Sequence, residues 1–269
     1  MATMNNREPT LGLTRIAVIG GSGLESLLQG ARQVRIGTVY GPAPLISVGT
    51  IGKEEVAFLP RHGPKHDLPP HRVNYRANLS ALKQLGVERI IATNAVGSIN
   101  SEYNPGDLSI PVDIIDMTKS RTTTFFDSSP VTHIDVSQPY CPEIRRAMID
   151  SSKGGKVKVW DDSVLVTTEG PRYETPAEIR MLEKLAGDLV GMTGAPETFL
   201  ARELEICYST VCFISNRAAG KQAKLSAVEV MEIGKRTLPE ITNLIRKTVE
   251  RIPAKRTCVC SGATEQAQV

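Results

Sequence analysis

The chain has no apolar run approaching the roughly 18 residues of a membrane span, and its start, MATMNNREPTLGLTR, lacks the apolar stretch of a signal peptide. It also lacks the cysteine density of a small secreted scaffold. Five cysteines in 269 residues (Cys141, Cys207, Cys212, Cys258 and Cys260) are too sparse for that class. Charge imbalance is small: 32 Lys and Arg against 29 Asp and Glu leave +3. That bias argues for neither nucleic acid nor a membrane surface, and it does not oppose a small anionic substrate. Internal repeats, linkers and low-complexity stretches are missing as well, so one domain is the simplest organisation. With 41% apolar and 23% charged residues the chain is not disordered, and at this length it can bury a core without staples. A soluble, cytoplasmic, globular protein is expected.

Short apolar runs between turn residues read as strands: RIAVI, PLISVGTI, EEVAFLP, ERIIATNAVG and LSIPVDIIDM. GGSGLESLLQG reads as a Gly-rich turn opening a short helix. Helical periodicity appears in YRANLSALKQLG, CPEIRRAMIDSS, ETPAEIRMLEKLAG, PETFLARELE and VEVMEIGKRTLPEITNLIRKTVERI. Strands alternating with helices predict a single α/β domain, residues 1–269, with a parallel or mixed central sheet flanked by helices. Residues 1–14 read as an extension and 254–269 as a tail. In that tail Cys258 and Cys260 form a C-x-C. Structural zinc sites use C-x2–4-C with a second pair; no second pair is visible, so no metal site is expected. Two exposed thiols on a tail, or a redox-active or stabilising disulfide, are the open readings.

Six segments carry candidate chemistry. Val18-Ile19-Gly20-Gly21-Ser22-Gly23-Leu24 leaves a strand in a Gly-rich turn whose amides can hold an anion. It is not the dinucleotide fingerprint, because position 26 is Ser, nor a P-loop. Leu59-Pro60-Arg61-His62-Gly63-Pro64-Lys65-His66 places Arg and His after a strand, where they can converge on an oxyanion; taken alone it is also what a solvated basic loop looks like. Ala92-Thr93-Asn94-Ala95-Val96-Gly97-Ser98-Ile99 ends a strand in small polar residues, where open α/β sheets bind ligands. Thr167–Thr175 (TTEGPRYET), Val190–Glu197 (VGMTGAPE) and Ile214–Gly220 (ISNRAAG) add Gly, Pro and polar residues at element ends. None fits a nucleophile elbow or a zinc pattern.

In order and spacing, GGSGL, PRHG, NAVGS, EGPRYET, GMTGAPE and SNRAAG resemble the purine nucleoside and methylthioadenosine phosphorylases, from about Arg15 to about Arg251. The resemblance implies a single α/β domain around a mixed, partly barrel-like sheet, and trimers, or hexamers made of two trimers. It implies reversible phosphorolysis of an N-glycosidic bond, with inorganic phosphate as co-substrate and no organic cofactor. Three demands follow: an anion held under C1′, a ribosyl group free to develop oxocarbenium character, and a purine whose growing negative charge is stabilised.

Carried over by position, the phosphate site comprises Ser22, Arg61, His62, Asn94, Ala95 and Thr193. The methylthioadenosine branch has Thr where this chain has Asn94. Met192 packs under the ribose in this reading. His66 is placed near the ribose and His133 near the 5′ region of a neighbouring subunit, though each is equally an ordinary loop histidine. At the base, Asn216-Arg217-Ala218 replaces an acidic D-x-D, and Glu174, after Tyr173, replaces a Ser. An Asn amide can donate to O6 and accept from a protonated N7. A Glu174 carboxylate can accept from N1–H, which adenine lacks. Both departures resemble the 6-oxopurine-specific members; Glu174 alone could instead be a helix N-terminal acid. Ala227, Val230 and Met231 fall where the methylthio branch lines an apolar 5′ pocket, so methylthioinosine stands beside inosine and guanosine. The leading expectation is a 6-oxopurine nucleoside phosphorylase with Asn216, Glu174 and His62 as catalytic residues. A methylthioinosine or methylthioadenosine phosphorylase, a nucleoside hydrolase and a non-catalytic nucleoside binder are the alternatives.

Overall fold

The computed structural model describes residues 14–21 and 23–269. Ser22 and most of the 1–14 extension lie outside them. Apolar runs set the sheet. Strand β1 (Ile16–Gly20) is buried along its whole length, as expected for a parallel strand covered on both faces. It is followed by β2 (Ile46–Ile51), β3 (Glu54–Pro60), β4 (Arg89–Ser98), β5 (Asp113–Met117), β6 (Val164–Thr168), β7 (Leu189–Gly191) and β8 (Cys207–Arg217). One path of the 11-stranded mixed sheet runs Val159–Trp160, Leu108–Ser109, β8, β4, β1, β3, β2 and Gln29–Val34. At its far end β4 takes a third neighbour, β7, antiparallel at Ser98 and Gly97. From β7 the sheet continues through β6 to β5, both pairings parallel. The sheet therefore branches at β4, in keeping with the mixed nucleoside phosphorylase architecture.

Side chains alternate across β1. Ala17 and Ile19 join one core with Leu79, Leu82, Leu200 and Ala201. Ile16 and Val18 join the other with Ile144, Met148, Ile241 and Ile245. Helices α1 (Tyr75–Gln84) and α4 (Glu197–Glu203) thus cover one face, and α2 (Pro142–Ser152) and α5 (Ala227–Arg251) the other. Helix α3 (Pro176–Lys184) starts with a capping box in which the Thr175 side chain accepts from Glu178 N and Glu178 reaches back to Thr175 N. That cap fixes the chain directly after Tyr173 and Glu174. Strands β3 and β4 run parallel to β1, and β8 runs parallel to β4, so four carboxyl ends share one edge of the sheet. The loops there build the site.

Two expectations need correction. GGSGLESLLQG yields only a 3-10 turn, Leu24–Leu27, before the Gln29–Val34 strand. The 254–269 segment is not a loose tail. Arg89 Nη2 donates to the Pro253 carbonyl at 2.8 Å, Thr257 N to Glu143 Oε1 at 2.7 Å, and Val269 N to the Val131 carbonyl at 3.1 Å. Cys260 is buried, at 3% exposure, and Cys258 packs against the same core. Their partners come from elsewhere in the chain. Cys141 and Cys207 meet Cys258 and Cys260, so the second cysteine pair that spacing could not reveal is present. No helix among the described residues is long and apolar enough to cross a membrane.

Candidate functional site

A cavity of about 480 Å³ opens over the shared edge, within the range of small-molecule sites. Its lining gathers Arg61, His62, Asn94, Ala95, Tyr173, Glu174, Met192, Thr193, Asn216, Ala218 and Val230, together with His66. Most of the residues singled out in the sequence therefore share one pocket, although they come from six separate segments. Arg217, Ala227, Met231 and His133 do not line it. Arg217 turns outward to the Ser101 carbonyl and Asn104 Oδ1. Ala227 opens α5, Met231 is 59% exposed, and His133 lies on the surface with its amide on the Ala267 carbonyl. Ser22 lies outside the described residues.

Arg61 is the most buried of the polar groups, at 2% exposure. It follows β3, and its amide bonds the Gly20 carbonyl at 3.0 Å. A side chain at Gly20 would come within 2.6 Å of Leu24 and 2.9 Å of Thr93, so only glycine lets the first loop pack this closely. Arg61 Nε and Nη2 form a two-pronged bond to Glu197 at 2.7 and 2.6 Å, and Nη1 donates to the Thr93 carbonyl at 2.8 Å. Burial works against the charged guanidinium, but the Glu197 carboxylate overcomes it and raises the pKa overall. A guanidinium has five N–H donors, and two remain for a ligand. Tyr208 Oη also donates to Glu197, at 2.8 Å. Glu197 stands in GMTGAPE, yet as the first residue of α4 it reads in sequence like an ordinary helix-start acid.

Asn94 is held from both sides. Its Nδ2 donates to Thr210 Oγ1 at 2.7 Å and its Oδ1 accepts from Thr193 Oγ1 at 2.5 Å. The amide therefore orients Thr193. His62 Nδ1 donates to the Leu68 carbonyl at 2.8 Å, which leaves Nε2 unprotonated in the neutral ring. Burial, followed by the Arg61 charge, pushes the His62 pKa down to about 4. The unfolded chain takes up this proton near pH 6.5. The His62 contribution to stability is therefore complete above pH 6.5 and is lost as the pH falls from 6.5 to about 4. His62→Gln is expected to lose less stability than the parent over that interval in urea unfolding. Equal losses would show that His62 titrates normally.

At the other end of the cavity, Asn216 Oδ1 accepts from Ser215 Oγ at 2.7 Å and Nδ2 donates to the Arg217 carbonyl at 2.9 Å. One N–H and one lone pair of this buried amide remain. Glu174 Oε1 accepts from Thr168 Oγ1 at 2.6 Å. Met192 packs on Gly170, where φ is +66° and any Cβ would lie 2.6 Å from its sulfur. Arg121 ties these loops together. Its Nη1 donates to the Met192 and Ala195 carbonyls at 2.7 and 2.8 Å, and its Nη2 donates to the Glu169 carbonyl at 2.6 Å. Neither Arg121 nor Glu197 stands out in sequence, because each acts through backbone or ion-pair contacts made only in the fold.

The pocket thus has a cationic, hydroxyl-bearing floor and a remote amide and carboxylate. Residues 15–250 match the sequence profile of the phosphorylase superfamily. The chain is 49% identical to the "Probable S-methyl-5′-thioinosine phosphorylase" of Methanopyrus kandleri, over 96% of this chain and all of that one. It is 48% identical to the 6-oxopurine nucleoside phosphorylase of Pyrococcus furiosus, over 95% and 99%. Among solved structures, a methylthioadenosine phosphorylase from an antarctic soil metagenomic library superposes with a TM-score of 0.89 at 34% identity, covering 96% of this chain and 93% of that one. The chain belongs to the phosphorylase superfamily, in the family of purine nucleoside and methylthioadenosine phosphorylases, which are pentosyltransferases.

Proposed function

We propose that the chain cleaves 6-oxopurine nucleosides with inorganic phosphate, releasing the base and a ribose 1-phosphate. The observation that carries this reading is the pairing of Asn216 and Glu174 in the cavity that also holds Arg61 and Thr193. The amide has one donor and one acceptor left, which match O6 and a protonated N7. The carboxylate has its second oxygen for N1–H. Adenine offers a lone pair at N1 and a donor at position 6, so both contacts would be mismatched.

In this mechanism Arg61, Thr193 and the Ala95 amide hold phosphate beneath C1′. His62 is neutral at pH 7, so its Nε2 accepts a hydrogen bond from a phosphate hydroxyl. The sugar needs no covalent link to the protein: as the C1′–N9 bond breaks, the electron pair moves into the purine, N7 takes a proton from solvent, and Asn216 accepts from the resulting N7–H while donating to O6. Met192 provides an apolar floor that excludes water.

The 5′ group is a separate question. Phe213, Leu225 and Val230 give the cavity an apolar end, which favours a 5′-methylthio group alongside a 5′-hydroxyl. One assay tests the whole reading: inosine, guanosine, adenosine, methylthioinosine and methylthioadenosine in parallel, with and without phosphate. Cleavage of the 6-oxopurines only when phosphate is present is expected. Equal rates without phosphate would indicate a hydrolase, and no turnover of any nucleoside a binding protein.

A further inference from the structure

Cys141, Cys207, Cys258 and Cys260 bring their sulfurs to within 4.8 Å of one another. Cys258 Sγ lies 3.7 Å from Cys141 Sγ and 3.4 Å from Cys207 Sγ. A tetrahedron with a centre-to-sulfur distance of about 2.3 Å has edges of about 3.8 Å. The separations of 3.7 and 3.4 Å lie close to that edge, so the four thiols are near enough to share one tetrahedral ion. Cys258 is near both Cys141 and Cys207, so its sulfur has more than one sulfur neighbour.

We propose that these cysteines form a tetrathiolate site for one zinc-class divalent metal ion, which clasps the C-terminal segment to the sheet. Soft sulfur ligands in tetrahedral geometry select zinc among the common divalent ions. Binding is a ligand exchange without redox change: four S–H bonds give their protons to solvent and four metal–sulfur bonds form.

The scaffold supports this assignment. Cys141 is the N-cap of α2. Its amide bonds the Tyr208 carbonyl at 2.7 Å, and the Cys207 amide bonds the Glu88 carbonyl at 2.9 Å, so two ligands sit on rigid backbone. Cys207 is in register with Arg89 on the neighbouring strand. Arg89 is fully buried and its Nε has no partner. A four-thiolate site with a divalent ion carries two negative charges; the Arg89 guanidinium on the adjacent strand is already paired with Glu143 at 2.8 Å, and its Nε–H is the donor left over. The site lies at the start of β8, whereas Asn216 lies at its other end. At about 3.3 Å per residue the two are about 30 Å apart, so the role is structural.

The test uses the full chain purified without reductant. Thiols are counted after denaturation in chelator, metal is measured directly, and chelated, reduced protein is titrated with Co²⁺ and then Zn²⁺. Five titratable thiols are expected, with one Co²⁺ bound per chain, an intense thiolate-to-cobalt absorption band that Zn²⁺ abolishes, and a Zn²⁺-dependent rise in Tm. Cys258→Ser/Cys260→Ser should lose the band and the rise in Tm, while nucleoside KM stays within about twofold. Fewer than five thiols would mean disulfides in place of the metal site and would overturn the proposal. So would five thiols with no cobalt band at excess Co²⁺.

Discussion

Replacing Glu197 by alanine is expected to cost about 3–5 kcal/mol of stability, the usual penalty for breaking a buried ion pair from one side. Glu197 is fully buried, and its carboxylate takes both prongs of the Arg61 fork and the Tyr208 hydroxyl. Alanine would leave a buried guanidinium without its counter-charge and a buried phenol without an acceptor. Glu197→Gln removes the charge and sets an NH2 against one prong of the fork, but keeps an acceptor oxygen for Tyr208 and the other prong, so its loss should be smaller. Urea unfolding of the two variants beside the parent measures both. Saturating phosphate should recover part of the alanine loss, because an anion on Arg61 replaces the missing charge and stabilises the folded state by mass action. A cost below about 1 kcal/mol for Glu197→Ala would mean that the ion pair does not organise the floor of the pocket.

The second large effect concerns specificity. Asn216→Asp is expected to lower the inosine-to-adenosine ratio of kcat/KM by about 100-fold. An ionised Asp has acceptors only. It loses the donor to O6 and gains an acceptor for a 6-amino group. Sites built to hydrogen-bond a substrate discriminate by up to about 10⁴, but Glu174 still faces the unprotonated N1 of adenine, so the switch should be partial. Combining it with Glu174→Ser should carry the preference further towards adenosine. An unchanged ratio in Asn216→Asp, with normal circular dichroism, would remove the proposed role of Asn216.

Much of the helical layer is legible in sequence because its signals are local. YRANLSALKQ has its Asn74 cap, and PAEIRMLEK has its Thr175–Glu178 box. The apolar run IAVIG reads as a buried strand for the same reason. The longest strand, Cys207–Arg217, is less visible, since CYSTVCFISNR mixes hydroxyl and apolar residues without alternation. Thr210 is buried there because its hydroxyl bonds a main-chain carbonyl of β4, at Ala92. Gln29–Val34 is mostly exposed and has no apolar signature at all.

The ligand-facing residues are readable where they sit in short Gly-rich segments. Residues that act through others are not. Arg121 belongs to SRTTTFF, which resembles any polar loop, and its role arises only when the chain ends at Met192, Ala195 and Glu169 converge on it. The cysteine cluster is hidden for a similar reason. Its ligands come from a helix cap, a strand start and the C-terminal segment, and no sequence spacing joins those places.

The most direct measurement is a crystal structure with guanine and phosphate bound. Asn216 should donate to O6 and accept from N7–H, and Glu174 should accept from N1–H and the 2-amino group, with phosphate on Arg61 and Thr193. Guanine seated in the cavity with Asn216 and Glu174 turned away from its edge would contradict the account.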